Sequence, residues 1–546
     1  MKSVCTPNLL LGGLLIATVC GCCVIPPARV TLHPAPAMVR IGGADGTPVP
    51  APARSYKMEM VRNEREGFQF AVVPARGQNI GVHVGIEAIT SGAPPVELYR
   101  VLAVNHTAPP ATGEFVLPPR RLGWIPDVLI PQPNPSGPVT PAGNAGDMVP
   151  LTYYVEFKTD PQTPPGRYRY VVGVVEGRGI RTLGVEVRVH KPILPTRLPF
   201  RTATTWNWTL EDYYGRPLTL QDKQVFWNFC LDHRLSPCTF FAKAPDPTPA
   251  DLSPLTERGL SVINVLFVGG KNPRPLSTEF KQKIAPQLRQ WREQLKAIGM
   301  ERDAVILAAD EPEPSAIATC RQNVKWLKEQ FPEAKIWIAT RPSPEWAEFT
   351  DLFDPVMAFS TDFYKPHSHT DEALRFWRQT RPLPAGEYWW FHSVEPYAPY
   401  TNVRLDNLPI EGRIAGWQSA LYGVDGYEYV WITDWKANKD TRDMPWPQRA
   451  AAWKTGWSGA GTLCYPDEHM RPMPSLRLVN LRDGFEDWAL IEMLTHRTDR
   501  KARAELIDPV THSLAEWTTD PQVVLEARHK VITALQAGPA ATHKAF

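Results

Sequence analysis

The chain has 546 residues, enough at roughly 150 per domain for two to four domains with sizeable cores. Apolar residues at 43% and charged residues at 21% match ordinary globular usage and exclude global disorder. Lys and Arg number 59 against 57 Asp and Glu, a formal net charge of +2, which argues against nucleic acid as a partner held by a basic surface. Pro, at 57 residues, is unusually frequent and favours loop-rich β structure with sharply ended helices. Of 19 Trp, nine fall between Trp377 and Trp457, as a site for sugar rings or other flat, partly apolar ligands would require.

The amino terminus reads as an address. Lys2 precedes an apolar run, Leu9 to Val19, that is too short to span a bilayer and has the pattern of a secretory signal. The residues before Cys22 resemble a bacterial lipobox, with Val19 and Gly21 in place, although Cys20 departs from the usual pattern. The expectation is a signal over 1–22, lipidation at Cys22 and a cell-envelope protein held to the membrane by its lipid anchor only. A soluble secreted protein cut nearby is the alternative. Beyond the signal only Cys230, Cys238, Cys320 and Cys464 remain, too few for a disulfide framework. Cys230 and Cys238 are either a pair or buried free thiols. His367-Ser368-His369 is a weak metal signal, and a solvated loop is its simpler reading.

Residues 28–195 read as an N-terminal β-sandwich. Short alternating runs such as Glu66–Val73, Tyr153–Phe157, Arg167–Val175 and Leu183–Val189 are punctuated by Pro and Gly clusters. The rhythm changes across 198–460. Eight apolar runs start near Phe200, Pro237, Val262, Ala304, Lys335, Val356, Glu387 and Gly426, most of them separated by helical or turn-rich stretches. Continuous apolar runs suit buried parallel strands, and eight such units in this length predict a (β/α)8 barrel. Residues 461–546 add a strand and a helix, a C-terminal extension packed on the barrel.

The fourth run, Ala304–Ala309, leads into Asp310-Glu311-Pro312. Barrel active sites sit at the C-terminal ends of the strands, and Pro312 enforces a turn there that lets both acids face the mouth. Glycoside hydrolysis needs a proton donor and a second group to balance developing charge. Adjacent Asp and Glu suit the variant in which the substrate's own 2-acetamido oxygen is the nucleophile. Glu311 is then acid and base, and Asp310 holds the acetamido N–H. An exposed acidic helix cap is the competing reading.

At this point the chain resembles glycoside hydrolase family 123 and the wider set of bacterial lipoproteins that share its catalytic domain. The likeness rests on Arg62–Gln69, Gly123–Asp127, Asp232–Pro237, Asp310-Glu311-Pro312, Trp389-Trp390-Phe391, Gly412–Trp417, Asp425-Gly426-Tyr427 and Leu481–Asp487. It implies a sandwich followed by a barrel, no metal cofactor, and an exo-acting β-N-acetylgalactosaminidase with Glu311 as general acid/base and Asp310 orienting the acetamido group. Ala309 departs from the bulkier residue expected before the acid pair.

Trp206, Trp390, Trp431 and Trp435 lie at or just past predicted strand ends and are expected to bind substrate by stacking on pyranose faces; for any one of them ordinary packing under long loops is the alternative, but not for all four at once. Asp362 and Tyr364, after the sixth run, are expected either to bind hydroxyl or acetamido groups or to cap a loop. Arg477, Arg482, Asp483, Glu486 and Asp487 read as a salt-bridge network docking the last helix. The expected substrate is a glycan with a terminal β-linked N-acetylhexosamine, N-acetylgalactosamine favoured. The rivals are a glycosidase for another sugar, using a second carboxylate such as Glu395, and a non-catalytic glycan-binding lipoprotein on the same scaffold.

Overall fold

The computed structural model describes residues 29–42, 48–74, 82–106, 121–132, 151–177, 179–358, 365–380, 386–444, 449, 452–495 and 500–537. Cys22 with the signal segment, and Asp362 and Tyr364, lie outside the described residues.

Two sheets form the first part of the fold. One has the order β1 (Val30–Pro36), β3 (Arg65–Pro74), β7 (Leu151–Lys158), β5 (Val96–His106) and β6 (Gly123–Pro131). The other has the order β2 (Ser55–Arg62), β9 (Gly179–Ile193), β8 (Gly166–Glu176) and β4 (His83–Ala88). Side chains alternate across a strand. Phe68, Phe70 and Val72 of β3 therefore share one core with Tyr153, Val155 and Phe157 of β7 and with Leu183, Val185, Val187 and Val189 of β9. This is the sandwich that the alternating runs predict.

Eight parallel strands follow: β10 (Arg201–Thr205), β11 (Ser236–Cys238), β12 (Ile263–Phe267), β13 (Ala304–Asp310), β14 (Lys335–Ala339), β15 (Leu352–Phe353), β16 (Glu387–His392) and β17 (Gly426–Trp431). Their order is β11-β10-β17-β16-β15-β14-β13-β12, a nearly closed barrel. At the seam between β11 and β12, Asn264 Nδ2 donates to the Thr239 and Phe240 carbonyls at 3.0 and 2.9 Å. The Phe267 N–H adds a bond to the Ala242 carbonyl at 2.9 Å. The lumen is packed rather than hollow: Ala203, Cys238, Val305, Leu307, Trp337, Leu352 and Trp389 form their own buried cluster.

The sixth strand differs from expectation. It is Leu352–Phe353, and Val356 joins the sheet only through isolated bridges to Ser368 and Phe391. Pro355 has no N–H to give to a ladder, so regular pairing stops at Asp354. Cys230, Cys238, Cys320 and Cys464 are buried free thiols. No helix among the described residues is long and apolar enough to cross a membrane.

A hairpin of β18 (Cys464–Pro466) and β19 (Pro472–Pro474) leads into the helix Leu476–Glu492. Ser475 caps that helix by accepting from the Leu478 N–H at 3.1 Å, while its hydroxyl donates to the Leu463 carbonyl. Every residue from Leu476 to Ile491 is buried. The helix is not a surface extension; it is wedged between sandwich and barrel. Gly416 of the helix Pro409–Tyr422 meets Gly484 so closely that an added methyl would lie 2.0 Å from the Gly484 carbonyl oxygen. Only paired glycines let these two helices touch.

Burying so many charges is tolerable only if each is paired. Arg413 bonds both Glu66 of β3 and Asp487, at 2.8 and 2.7 Å. Arg482 pairs with Glu156 of β7 at 2.5 Å and with Asp483 at 2.8 Å. Arg477 reaches Asp127 of β6 at 3.0 Å, and Arg234 reaches Glu486 at 2.8 Å. Arg528, from the last helix Pro521–Gln536, closes the network on Glu64 and Asp487. The network thus locks sandwich, barrel and both C-terminal helices together, and holds the strand ends of the barrel in fixed relation.

Candidate active site

Asp310 ends β13, paired in register with Ala339 of β14. The ladder slips between Leu307 and Ala309, which re-aims the residues that follow. The Asp310 N–H donates to the Gly269 carbonyl and the Glu311 N–H to the Ala339 carbonyl, each at 3.1 Å. The pair is therefore pinned between the loop after β12 and the end of β14. Glu311 has a φ of 46°. A non-glycine residue pays strain in this left-handed region, and such strain gathers at functional sites. Pro312 then turns the chain away.

Both carboxyls are displaced upward from their ordinary range. Burial raises Asp310 to about 6, against the pull of Lys271. Burial raises Glu311 to about 8, with the charges of Asp310 and then Glu395 adding to it and Lys271 opposing. Lys271 Nζ lies 3.9 Å from Glu311 Oε2. Near neutral pH this leaves Asp310 mainly ionised and Glu311 mainly protonated. Pairs of acids with separated proton affinities are how one site holds an acid and an anion together.

Two further carboxyls sit beside the pair. Asp354 follows β15, one alternation above Leu352 of the lumen, and is fully buried. Glu428 of β17 stands opposite Phe391 of β16 and Ala203 of β10. Besides a weak contact from the Trp337 indole N–H, Asp354 has no aligned hydrogen bond from an N–H or hydroxyl among the described residues. Its carboxyl instead meets that of Glu428, and burial raises both, Asp354 to about 7. Two carboxyls bond only when one keeps its proton, so the pair carries one. The charge of Asp310, across the top of the lumen, adds to the rise of both. Glu395 is fully buried.

The expected tryptophan platform is largely corrected. Trp206, Trp390 and Trp435 are fully buried and present no face to the mouth. Their indole N–H groups are spent inside: on the Asp246 carbonyl at 3.1 Å, the Ser419 hydroxyl at 3.1 Å and the Cys464 carbonyl at 3.0 Å. A strand-end position did not distinguish the lumen side from the helix side. Trp431 alone is part-exposed. It stacks on Trp208 with centroids 4.9 Å apart and planes 19° apart. Trp208 meets Phe241 at 5.8 Å, and Phe241 meets Phe267 at 5.4 Å. These part-exposed rings trace an arc along the C-terminal rim from β17 to β12, the strand beside the acid pair.

Trp208, Phe241 and Phe267 escaped the sequence reading, as did Lys271, Asp354 and Glu428. Asp354-Pro355 repeats the acid-then-proline signal of Glu311-Pro312, and Glu428 is a lone charge inside an apolar parallel strand. Those two signals were available.

His367 and His369 point to separate partners, the Thr340 hydroxyl at 3.1 Å and the Tyr388 hydroxyl at 2.7 Å. Among the described residues, the one group offering three ligand atoms within reach of a single ion lies away from this site. A small cavity lined by Thr202, Leu235, Ser236 and Gly259 lies by the amino-terminal end of β11, away from the acid pair.

Residues 266–494 match the family model described as glycoside hydrolase 123, catalytic domain. No protein of curated function matches the chain. A family 123 glycoside hydrolase from Clostridium perfringens, studied for glycolipid glycan hydrolysis, superposes with a TM-score of 0.65 at 12% identity, covering 93% of this chain and 98% of that one. At that identity the likeness establishes the fold alone, sandwich and barrel together. A β-glucuronidase of Bacteroides uniformis covers 74% of this chain and 47% of its own at 8% identity, but its TM-score of 0.28 supports no argument.

Proposed function

We propose that this chain, a glycoside hydrolase with a family 123 catalytic domain over residues 266–494, removes terminal β-linked N-acetylhexosamine, N-acetylgalactosamine favoured, from exported or surface glycans. The carrying observation is the adjacent pair with separated proton affinities, Glu311 near 8 and Asp310 near 6, at the C-terminal end of β13. The glycolipid glycan hydrolysis reported for the Clostridium perfringens relative supports the substrate class.

The chemistry follows from those protonation states. Glu311 gives its proton to the glycosidic oxygen as the bond to C1 breaks. The substrate's acetamido oxygen closes on C1 from the opposite face. Asp310, ionised, accepts the acetamido N–H and balances the positive charge of the cyclic intermediate. Glu311, now a carboxylate, takes a proton from the water that opens the ring. The Asp354–Glu428 pair, by holding one proton, limits the negative charge beneath Asp310. Trp431, Trp208, Phe241 and Phe267 supply apolar ring faces for the C–H faces of the glycan.

Purified protein should release p-nitrophenol from p-nitrophenyl β-N-acetylgalactosaminide faster than from the β-N-acetylglucosaminide. Absence of turnover on both, with Glu311→Gln indistinguishable from wild type, would leave only the glycan-binding reading. A glycosidase using Glu395 with Glu311 would lose activity in Glu395→Gln yet cleave sugars lacking an acetamido group.

The amino-terminal pattern supports export and lipidation at Cys22. Cys22→Ser should move the protein from the membrane fraction to the soluble one or leave it unprocessed. Unchanged membrane fractionation with normal cleavage would remove the anchor from the reading.

A further inference from the structure

Far from the acid pair, Glu59 of β2, His190 of β9 and His529 of the helix Pro521–Gln536 each bring one ligand atom within 4.8 Å of the others. The strands place two of them side by side, since β2 and β9 are parallel partners with Glu59 opposite Arg188. The helix delivers the third from more than 300 residues away in the chain. His529 Nδ1 lies 2.6 Å from Glu59 Oε2. His190 Nε2 lies 3.3 Å from the same oxygen.

The His190 ring is what makes the arrangement unusual. Its side chain is 2% exposed. Its Nδ1 faces Gln536 Oε1 at 3.4 Å. An amide oxygen only accepts, so Nδ1 carries the proton and the neutral ring has its lone pair at Nε2. That buried lone pair makes no aligned hydrogen bond and faces a carboxylate oxygen, which is also an acceptor. Two such atoms aimed at one point call for a positive centre between them, either a second proton on the ring or a metal ion. Arg188 lies 3.6 Å from Oε1, the other oxygen of Glu59, and so leaves Oε2 to the two rings.

We propose that Glu59, His190 and His529 form a zinc site that fastens the C-terminal helix to the sandwich. The donor set of two imidazoles and a carboxylate is a common zinc set. Ligands bound at about 2.0–2.2 Å in a tetrahedron lie roughly 3.4 Å apart, which the His190–Glu59 separation of 3.3 Å already matches. The His529 contact has to open slightly, and this ring is half exposed and free to swing. The exposure leaves a fourth position for water. Gln536 at Nδ1 of His190 supplies the outer hydrogen bond that fixes a metal-binding tautomer. Zinc would displace the proton now shared between His529 and Glu59, because ligands bind deprotonated.

The test uses the full mature chain stripped with a chelator and dialysed at pH 7.5. Titration with zinc should show one equivalent bound, and the melting temperature should rise on binding, because a ligand held only by the folded state stabilises it. Glu59→Gln and His529→Gln should each weaken binding at least tenfold and lose the melting shift. Glu311→Gln should keep both. His529 is half exposed, so its substitution leaves the fold intact, which far-ultraviolet circular dichroism checks. No saturable binding by the wild type, or binding and melting shift unchanged in His529→Gln, would overturn the site.

Discussion

Glu311→Gln is expected to lower kcat on a β-N-acetylhexosaminide with a poor leaving group by about 10²–10⁴-fold, the usual worth of general acid catalysis. Gln keeps the size of the side chain but brings no proton. An activated aryl leaving group departs with little protonation, so the loss there should be far smaller. The pH profile should change in a defined way. Burial and the neighbouring Asp310 hold the Glu311 proton up to about 8. Wild-type activity should therefore fall as pH rises past about 8, and this alkaline limb should vanish in the variant. Stability should move the opposite way to activity. A carboxyl whose proton affinity is raised on folding contributes stability below its ordinary range near 4.5 and loses it as pH climbs through 8. At pH 8–9 Glu311→Gln should therefore melt a few degrees above wild type. A variant that loses activity while melting higher has not misfolded.

Asp310→Asn is expected to lower kcat by about 10²–10³-fold, the cost of removing one well-placed electrostatic stabiliser. Here the proton donor remains, so the loss should persist with activated leaving groups, unlike that of Glu311→Gln. Asp310 must be ionised to accept the acetamido N–H, and burial places its titration near 6. Wild-type activity should fall as pH drops below about 6, and that acid limb should disappear in the variant. Added azide should not restore turnover through an α-azide product, because the nucleophile belongs to the sugar. Recovery of that product would assign a missing enzymic nucleophile to Asp310 instead.

The sequence showed the barrel through its long apolar runs. Val262–Val268 and Lys335–Ala339 are continuous because both faces of a parallel strand are covered. It missed the sixth strand because two residues, Leu352 and Phe353, are too few to show a run. With that strand it missed Asp354, which the strand delivers to the lumen. The acid pair was legible because Pro312 marks where β13 ends. The tryptophans were not, since period-2 alternation decides whether a strand-end ring faces the lumen or the helices, and a register slip resets it. The helix Leu476–Glu492 carries Arg477, Arg482, Asp483, Glu486 and Asp487, which the sequence marks as a docking network without naming their partners or how deeply the helix lies. It is buried because its partners Asp127, Glu156 and Arg413 come from segments remote in sequence. Pairing over such separations leaves no local pattern.

The central claim is that the nucleophile is the substrate's own acetamido group. It is tested most directly by wild-type turnover of two aryl β-galactosides that differ only at C2, one bearing acetamido and one bearing hydroxyl. The acetamido sugar should be cleaved and the hydroxyl sugar should be essentially inert. Equal rates on the two would contradict the account and place the nucleophile on an enzyme carboxylate.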